Sequence, residues 1–238
     1  MAGKAALFEP PAQCEPHESR ATIQLIRDVM GRYDGHVGRV KGGRVTMSDR
    51  PQDWVIGMLL ESTSVSPTDL LEEVMADPRC PAFGPIHHFI VGAVLLACWR
   101  NAEADAGRKA LLHSDLEEMV ARSSCVPGAT CARWGVCGAA ASAGMAYAIV
   151  RGNAPLRNEG WQDGQLMVSD LLQLIARAGS PRCCKRDTRV AMAAAVPYFN
   201  ALGGPQLVER KGMPICETHV QNSVCMGASC PFFPAGQA

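Results

Sequence analysis

Aromatic residues are scarce, at 5% of the chain, and neither sign of charge prevails, with 23 Lys and Arg against 23 Asp and Glu. The first shortage leaves too few rings for a base-stacking surface. The second removes any general attraction to nucleic acid or anionic membrane. Long apolar runs are missing as well. The N-terminus offers Ala5 to Phe8, short of the roughly 7–15 apolar residues of a secretory signal. Phe89 to Trp99, bounded by His88 and Arg100, is about half of the ~20 residues needed to cross a bilayer. Trp134 to Val150 is longer and uncharged, but it is mostly Ala and Gly and so weakly hydrophobic. A cytoplasmic location is therefore expected, with neither membrane nor nucleic acid as partner. In that compartment cysteines persist as thiols or metal ligands rather than disulfides.

What is present is a globular composition: 238 residues, 47% apolar and 19% charged, ample for a hydrophobic core. Residues 1–20 read as a loose leader with three prolines. Residues 21–63 form a small N-terminal part. In it, Ile23, Ile26, Val29 and Met30 share one helical face, and the glycines and valines of Gly35 to Val45 suggest a hairpin. Residues 64–238 form a cysteine-rich helical domain. There the expected helices are Pro67 to Asp77, His87 to Ala104, one opened by a capping box at Ser114 to Glu117, Gly135 to Val150, Trp161 to Ala178, and Asp187 to Leu202. The fold class is mainly α, a compact helical domain around a small-residue central helix, with a minor β-hairpin near the N-terminus.

Eleven cysteines are the exceptional feature. They form three groups: Cys125, Cys131 and Cys137; the adjacent pair Cys183-Cys184; and Cys216, Cys225 and Cys230 near the end. Cys14, Cys80 and Cys98 stand apart, and Cys98 has the surroundings of a buried core thiol. Thiolates are soft ligands that select zinc, Cu(I) or iron–sulfur clusters. Cys131, Cys137 and the Cys183-Cys184 pair lie where helices are expected to begin, and backbone N–H groups there stabilise anionic sulfur. A zinc ribbon would carry two close Cys-x2–4-Cys pairs, which are absent. Zinc at Cys216, Cys225, Cys230 and His219 stays open as an alternative.

His87 and His88 stand before the most apolar helix. Adjacent residues on a helix project about 100° apart, so one histidine is expected to face the core and the other a cleft. A neutral imidazole there can ligate metal or move protons near neutral pH, or simply be a hydrogen-bonded core residue. Arg182, Lys185 and Arg186 surround the cysteine pair, where positive charge would lower thiol pKa values, offset cluster charge or hold an anionic substrate. A Cys–His dyad such as Cys184 with His88 is a further alternative. Nucleotide-binding loops and hydrolase elbows are absent from the sequence.

Four stretches resemble an uncharacterised cysteine-rich family of archaea and anaerobic bacteria. They are Gly84-Pro85-Ile86-His87-His88, Val126 through the Cys131-Ala132-Arg133-Trp134-Gly135-Val136-Cys137-Gly138-Ala139-Ala140 run, Pro181-Arg182-Cys183-Cys184-Lys185-Arg186-Asp187, and Cys230-Pro231-Phe232. A fainter similarity reaches the α-domain of iron–sulfur serine dehydratases and cysteine desulfidases. It implies a [4Fe–4S] cluster held by three cysteines, with Cys131 or Cys137 and Cys183 or Cys184 in the matching places. In such a site the free iron acts as a Lewis acid on a leaving group.

The expected function is thus a [4Fe–4S]-dependent, oxygen-sensitive enzyme of the lyase or sulfur-transfer kind. Cys131, Cys137, Cys183 and Cys184 are its metal ligands or reactive thiols, with Cys216, Cys225 and Cys230 in the same centre or in one of their own. His87, His88 and Lys185 are catalytic candidates, and Arg182 and Arg186 hold a small anionic substrate. A redox partner or cluster donor fits this reading, and a homodimer is an open alternative. The competing reading is a non-catalytic iron–sulfur or zinc-binding accessory or electron-transfer protein.

Overall fold

The computed structural model describes residues 50–103 and 107–234. The expected leader, the helix over 21–33 and the hairpin over 35–45 lie outside the described residues. Among the described residues there are eight α-helices, two 3-10 turns and no strand. The fold is mainly helical, and the described residues belong to one compact unit. Helix α1 (Asp53–Glu61) buries Val55, Ile56 and Leu59 and packs on the third and fourth helices.

Helix α2 (Pro67–Ala76) opens with proline at its first position, where the missing N–H costs nothing. Helix α3 (His87–Glu103) is the centre of the fold. Every residue from His87 to Trp99 is buried, as a helix apolar on all sides must be. It packs against α1, α2, α4 (Arg108–Ser124), α6 (Gly138–Arg151) and α8 (Cys184–Asn200). Its approach to α6 is close at Gly92, where a Cβ would come within 2.7 Å of the Ser142 carbonyl oxygen. There the Gly92 N–H donates to the Ser142 hydroxyl at 2.8 Å.

The small residues Ala139, Ala140, Ala143 and Ala146 form the buried face of α6, which α7 (Trp161–Arg177) and α8 also cover. On α8, Phe199 fills the centre, meeting Trp99 and Tyr147 edge-on at 5.9 and 5.8 Å. Burying such a ring contributes about 1.5–3 kcal/mol. The short α5 (Thr130–Arg133) follows Ala129, which holds a left-handed φ of 62°.

Three helix starts depart from the sequence expectation. Helix α4 begins at Arg108, so Ser114 lies inside it rather than capping it. Its buried stripe of Leu112, Leu116, Met119 and Val120 extends one turn earlier than the capping pattern suggests. Helix α6 begins at Gly138, since Gly135 takes a left-handed φ of 69°. Helix α8 begins at Cys184, three residues before the expected Asp187 cap. After α8 the chain runs irregularly to Pro234, with turns at His219–Gln221 and Gly227–Ser229. Among the described residues, no helix is long and apolar enough to cross a membrane.

Candidate functional site

The start of α8 divides two cysteine-lined clefts. Cys183 is extended (φ −138°, ψ 112°), whereas Cys184 is already helical, so their neighbouring side chains leave the backbone in different directions. Cys184 lines the first cleft together with Cys131 and Cys137. Cys183 lines the second with Cys216, Cys225 and Cys230. The four sulfurs expected to form one main centre are therefore split, three against one, and the terminal cysteines gain Cys183 as a fourth.

The first cleft is partly open and has a cavity volume of about 90 Å³. The first residues of three long helices border it: His87 and His88 of α3, Gly138 and Ala139 of α6, and Cys184 of α8. Helix N-termini present unsatisfied N–H groups and the positive end of the helix dipole, which favour anions. Burial pushes the Cys137 thiol up to about 11, while the backbone N–H groups of Ala139 and Ala140 pull the other way. Burial also raises Cys184, opposed by the Gly84 backbone and the Arg182 guanidinium. Both are thiols in the free protein at neutral pH, and a bound metal would deprotonate them.

Both histidines line the first cleft and both are buried, His87 the more deeply. His87 donates from Nδ1 to the Gly84 carbonyl at 3.1 Å, and its Nε2 faces the Cys80 thiol at 4.0 Å. Burial drives its pKa down to about 4, so it is neutral. His88 lies against Gly138, where a Cβ would fall 2.3 Å from the imidazole Nε2. This is the physical reason for glycine at the start of α6. Burial lowers the His88 pKa, opposed by the Val126 backbone, although Nδ1 makes no hydrogen bond of normal geometry. Thr188 also lines this cleft, and its fully buried hydroxyl has no partner among the described residues.

The basic residues are placed differently from one another. Arg182 is exposed at the first cleft and donates to Cys184 Sγ at 3.2 Å. Lys185 is 2% exposed and donates to the Met75 carbonyl at 2.7 Å and to Cys80 Sγ at 3.3 Å. Lys185, expected as a catalytic group, thus holds its ammonium on the core side, beside α2. Arg186 is buried too, bonded to Asp187 (3.0 Å), the Gly179 carbonyl (2.6 Å), the Pro181 carbonyl (3.2 Å) and Met226 Sδ (2.6 Å). Arg186, expected to hold an anionic substrate, links the turn before α8 to the tail. Sequence reasoning missed Cys80 and Arg189; the latter forks onto Glu72 at 2.8 and 2.6 Å.

The second cleft is narrow, with a cavity volume of about 20 Å³, and lies between α8 and the tail. The tail is pinned by the Cys216 N–H to the Phe232 carbonyl at 2.7 Å. Burial raises the Cys230 thiol, the nearby Cys183 and Cys216 add to this, and Arg186 opposes it. His219, the alternative zinc ligand, lines this cleft with its Nδ1 2.9 Å from the Cys216 carbonyl oxygen. Cys125 is exposed at the end of α4 and lines neither cleft. Cys98 is fully buried on α3, and burial raises its thiol strongly. Cys14 lies outside the described residues.

Among the described residues, no three of His, Cys, Asp and Glu stand close enough to hold a single metal ion. A [4Fe–4S] cluster makes a different demand. Each thiolate binds its own iron, so the sulfurs ring a cavity rather than meet at one point. Thiols spaced around a cleft, with N–H donors and cations beside them, suit that donor chemistry.

A family model matches residues 55–233, a stretch that contains every cysteine of the two clefts. No curated protein and no solved structure matches the chain. Since the match covers most of its length, the chain belongs to the family of unknown function DUF5714.

Proposed function

We propose that the chain is an iron–sulfur enzyme of the lyase or sulfur-transfer kind, acting on a small anionic substrate in the first cleft. The observation that carries this reading is the composition of that cleft. Three thiols from three separate segments share it with His88, the exposed Arg182 and a buried, unpartnered Thr188 hydroxyl. In this reading Cys131, Cys137 and Cys184 hold three irons of a [4Fe–4S] cluster and leave the fourth without a protein ligand. When bound, such a cluster supplies a Lewis acid for the substrate's leaving group.

The chain's own residues do the rest. The N-termini of α3, α6 and α8 and the Arg182 guanidinium draw an anion toward the cleft. A carboxylate held by Arg182 stands beside Cys184, because the guanidinium already reaches that sulfur. The Thr188 hydroxyl orients a polar group of the substrate, which gives it the hydrogen bond it lacks. His88 takes the acid/base role in preference to His87, whose nitrogens are engaged by Gly84 and Cys80. Lys185 and Asp187 support the start of α8 from within.

Purification without oxygen, followed by iron, sulfide and zinc analysis, tests this reading. Iron and acid-labile sulfide are expected, together with an EPR signal from the reduced protein that shifts when cyanide is added as a small anionic ligand. Iron-free protein from the anaerobic preparation would remove the proposal. An iron signal indifferent to the anion would instead favour the accessory-protein reading.

A further inference from the structure

We propose that the second cleft holds a separate, closed [4Fe–4S] cluster, ligated by Cys183, Cys216, Cys225 and Cys230, which fastens the irregular tail to the start of α8. It rests on a different cleft and a different ligand set from the enzyme reading above. Four thiols line this cleft, and a full set of four leaves no iron open.

The charges around the cleft point the same way. Lys185, Arg186 and Arg189 line it and are at most 3% exposed. Buried cations require compensating negative charge. Asp187 and Glu72 each compensate one of them. Lys185, by contrast, is held by a carbonyl and a thiol. That leaves an excess of one positive charge within the described surroundings. A four-thiolate cluster is anionic overall, and the Lys185 cation offsets part of that charge.

The tail supplies the third argument. From Gly203 to Phe233 it contains two single-turn 3-10 elements and no α-helix. Its buried apolar side chains are few, with Leu207, Cys216 and Phe232 the hydrophobic ones. Three of the cleft's cysteines come from this stretch, so a bound cluster converts binding energy into folding energy for a segment with little core of its own. Because Cys183 and Cys184 are consecutive, their Cα atoms lie about 3.8 Å apart, and the two centres are neighbours across one peptide bond.

The test uses the full chain, purified without oxygen and analysed for iron, sulfide and zinc. Wild type is expected to carry about eight irons and eight sulfides per chain, as for two [4Fe–4S] clusters. The double variant Cys225→Ser, Cys230→Ser is expected to keep about half the iron and the anion-sensitive EPR signal. It should also be cut faster by trypsin at Arg210 and Lys211, which lie exposed in the tail. Should this variant fail to fold, the reciprocal one decides. Cys131→Ser with Cys137→Ser is expected to keep about four irons, with a signal that ignores cyanide.

About four irons in wild type, lost with Cys131 and Cys137 and untouched by the tail substitutions, would overturn the second centre and leave the enzyme reading standing. Iron lost with the tail substitutions, and indifferent to Cys131 and Cys137, would do the reverse. Zinc bound by the tail cysteines would also overturn the proposal.

Discussion

The two clefts share a boundary, the Cys183–Cys184 peptide, and differ in how their walls are made. Helix starts build most of the first, and α3, α6 and α8 are fixed there by a dense apolar core. More than half of the second is an irregular tail. The first offers three thiols and several polar groups with spare hydrogen-bonding capacity. The second offers four thiols among cations that are already engaged. In one chain, then, helix termini border the cleft for which an open, reactive iron is proposed, and the irregular tail borders the cleft for which a closed one is proposed. A reactive centre needs its ligands and its acid/base group held still before substrate arrives. A structural centre can gather its own ligands as it binds.

Substitutions can break this comparison at different points. The largest effect is expected at Cys137→Ser, which should abolish the anion-sensitive EPR signal and remove about half of the iron. Next comes Glu72→Gln, which leaves the buried Arg189 guanidinium without its carboxylate. Because Glu72 is partly exposed, the loss should fall at the lower end of about 3–5 kcal/mol in denaturant unfolding. Since Arg189 lines the second cleft, iron from that centre should be lost at lower denaturant concentration than iron from the first.

Lys185→Met should cost about 1–3 kcal/mol, because the Met75 carbonyl loses its buried donor. The cyanide response of the first centre should survive it, whereas a catalytic Lys185 would take that centre's activity with it. The smallest effect is expected at Cys125→Ser. This exposed thiol lines neither cleft, so stability should change by less than about 0.5 kcal/mol and the iron content not at all.

Much of the helical architecture is legible in the sequence because apolar periodicity reports it directly. The continuous apolar run after His88 predicts a buried central helix, and α3 is one. The apolar spacing after Trp161 places α7 to within a residue at its end. The gathering of cysteines at helix starts is legible as well, with Cys137 preceding α6 and Cys184 opening α8.

Less visible is what depends on tertiary contact. Lys185 finds Cys80 across 105 residues of chain, and no local pattern marks that pairing. The adjacent cysteines look like one chelating unit in the sequence. A change of backbone conformation between two consecutive residues sends them to different clefts. Ser114 misleads for a related reason. Its local capping pattern is genuine chemistry, but the buried stripe of α4 starts earlier and wins, since burial of Leu112 outweighs one cap.

Adjacent single substitutions test the central claim most directly. Cys183→Ser and Cys184→Ser are to be compared by iron content and by the EPR response of the reduced protein to cyanide. Cys184→Ser should lose the responsive signal and keep the unresponsive one, and Cys183→Ser should do the opposite. Identical losses from both variants would mean that the pair serves a single centre, and the division of the molecule into two clefts with separate tasks would be wrong.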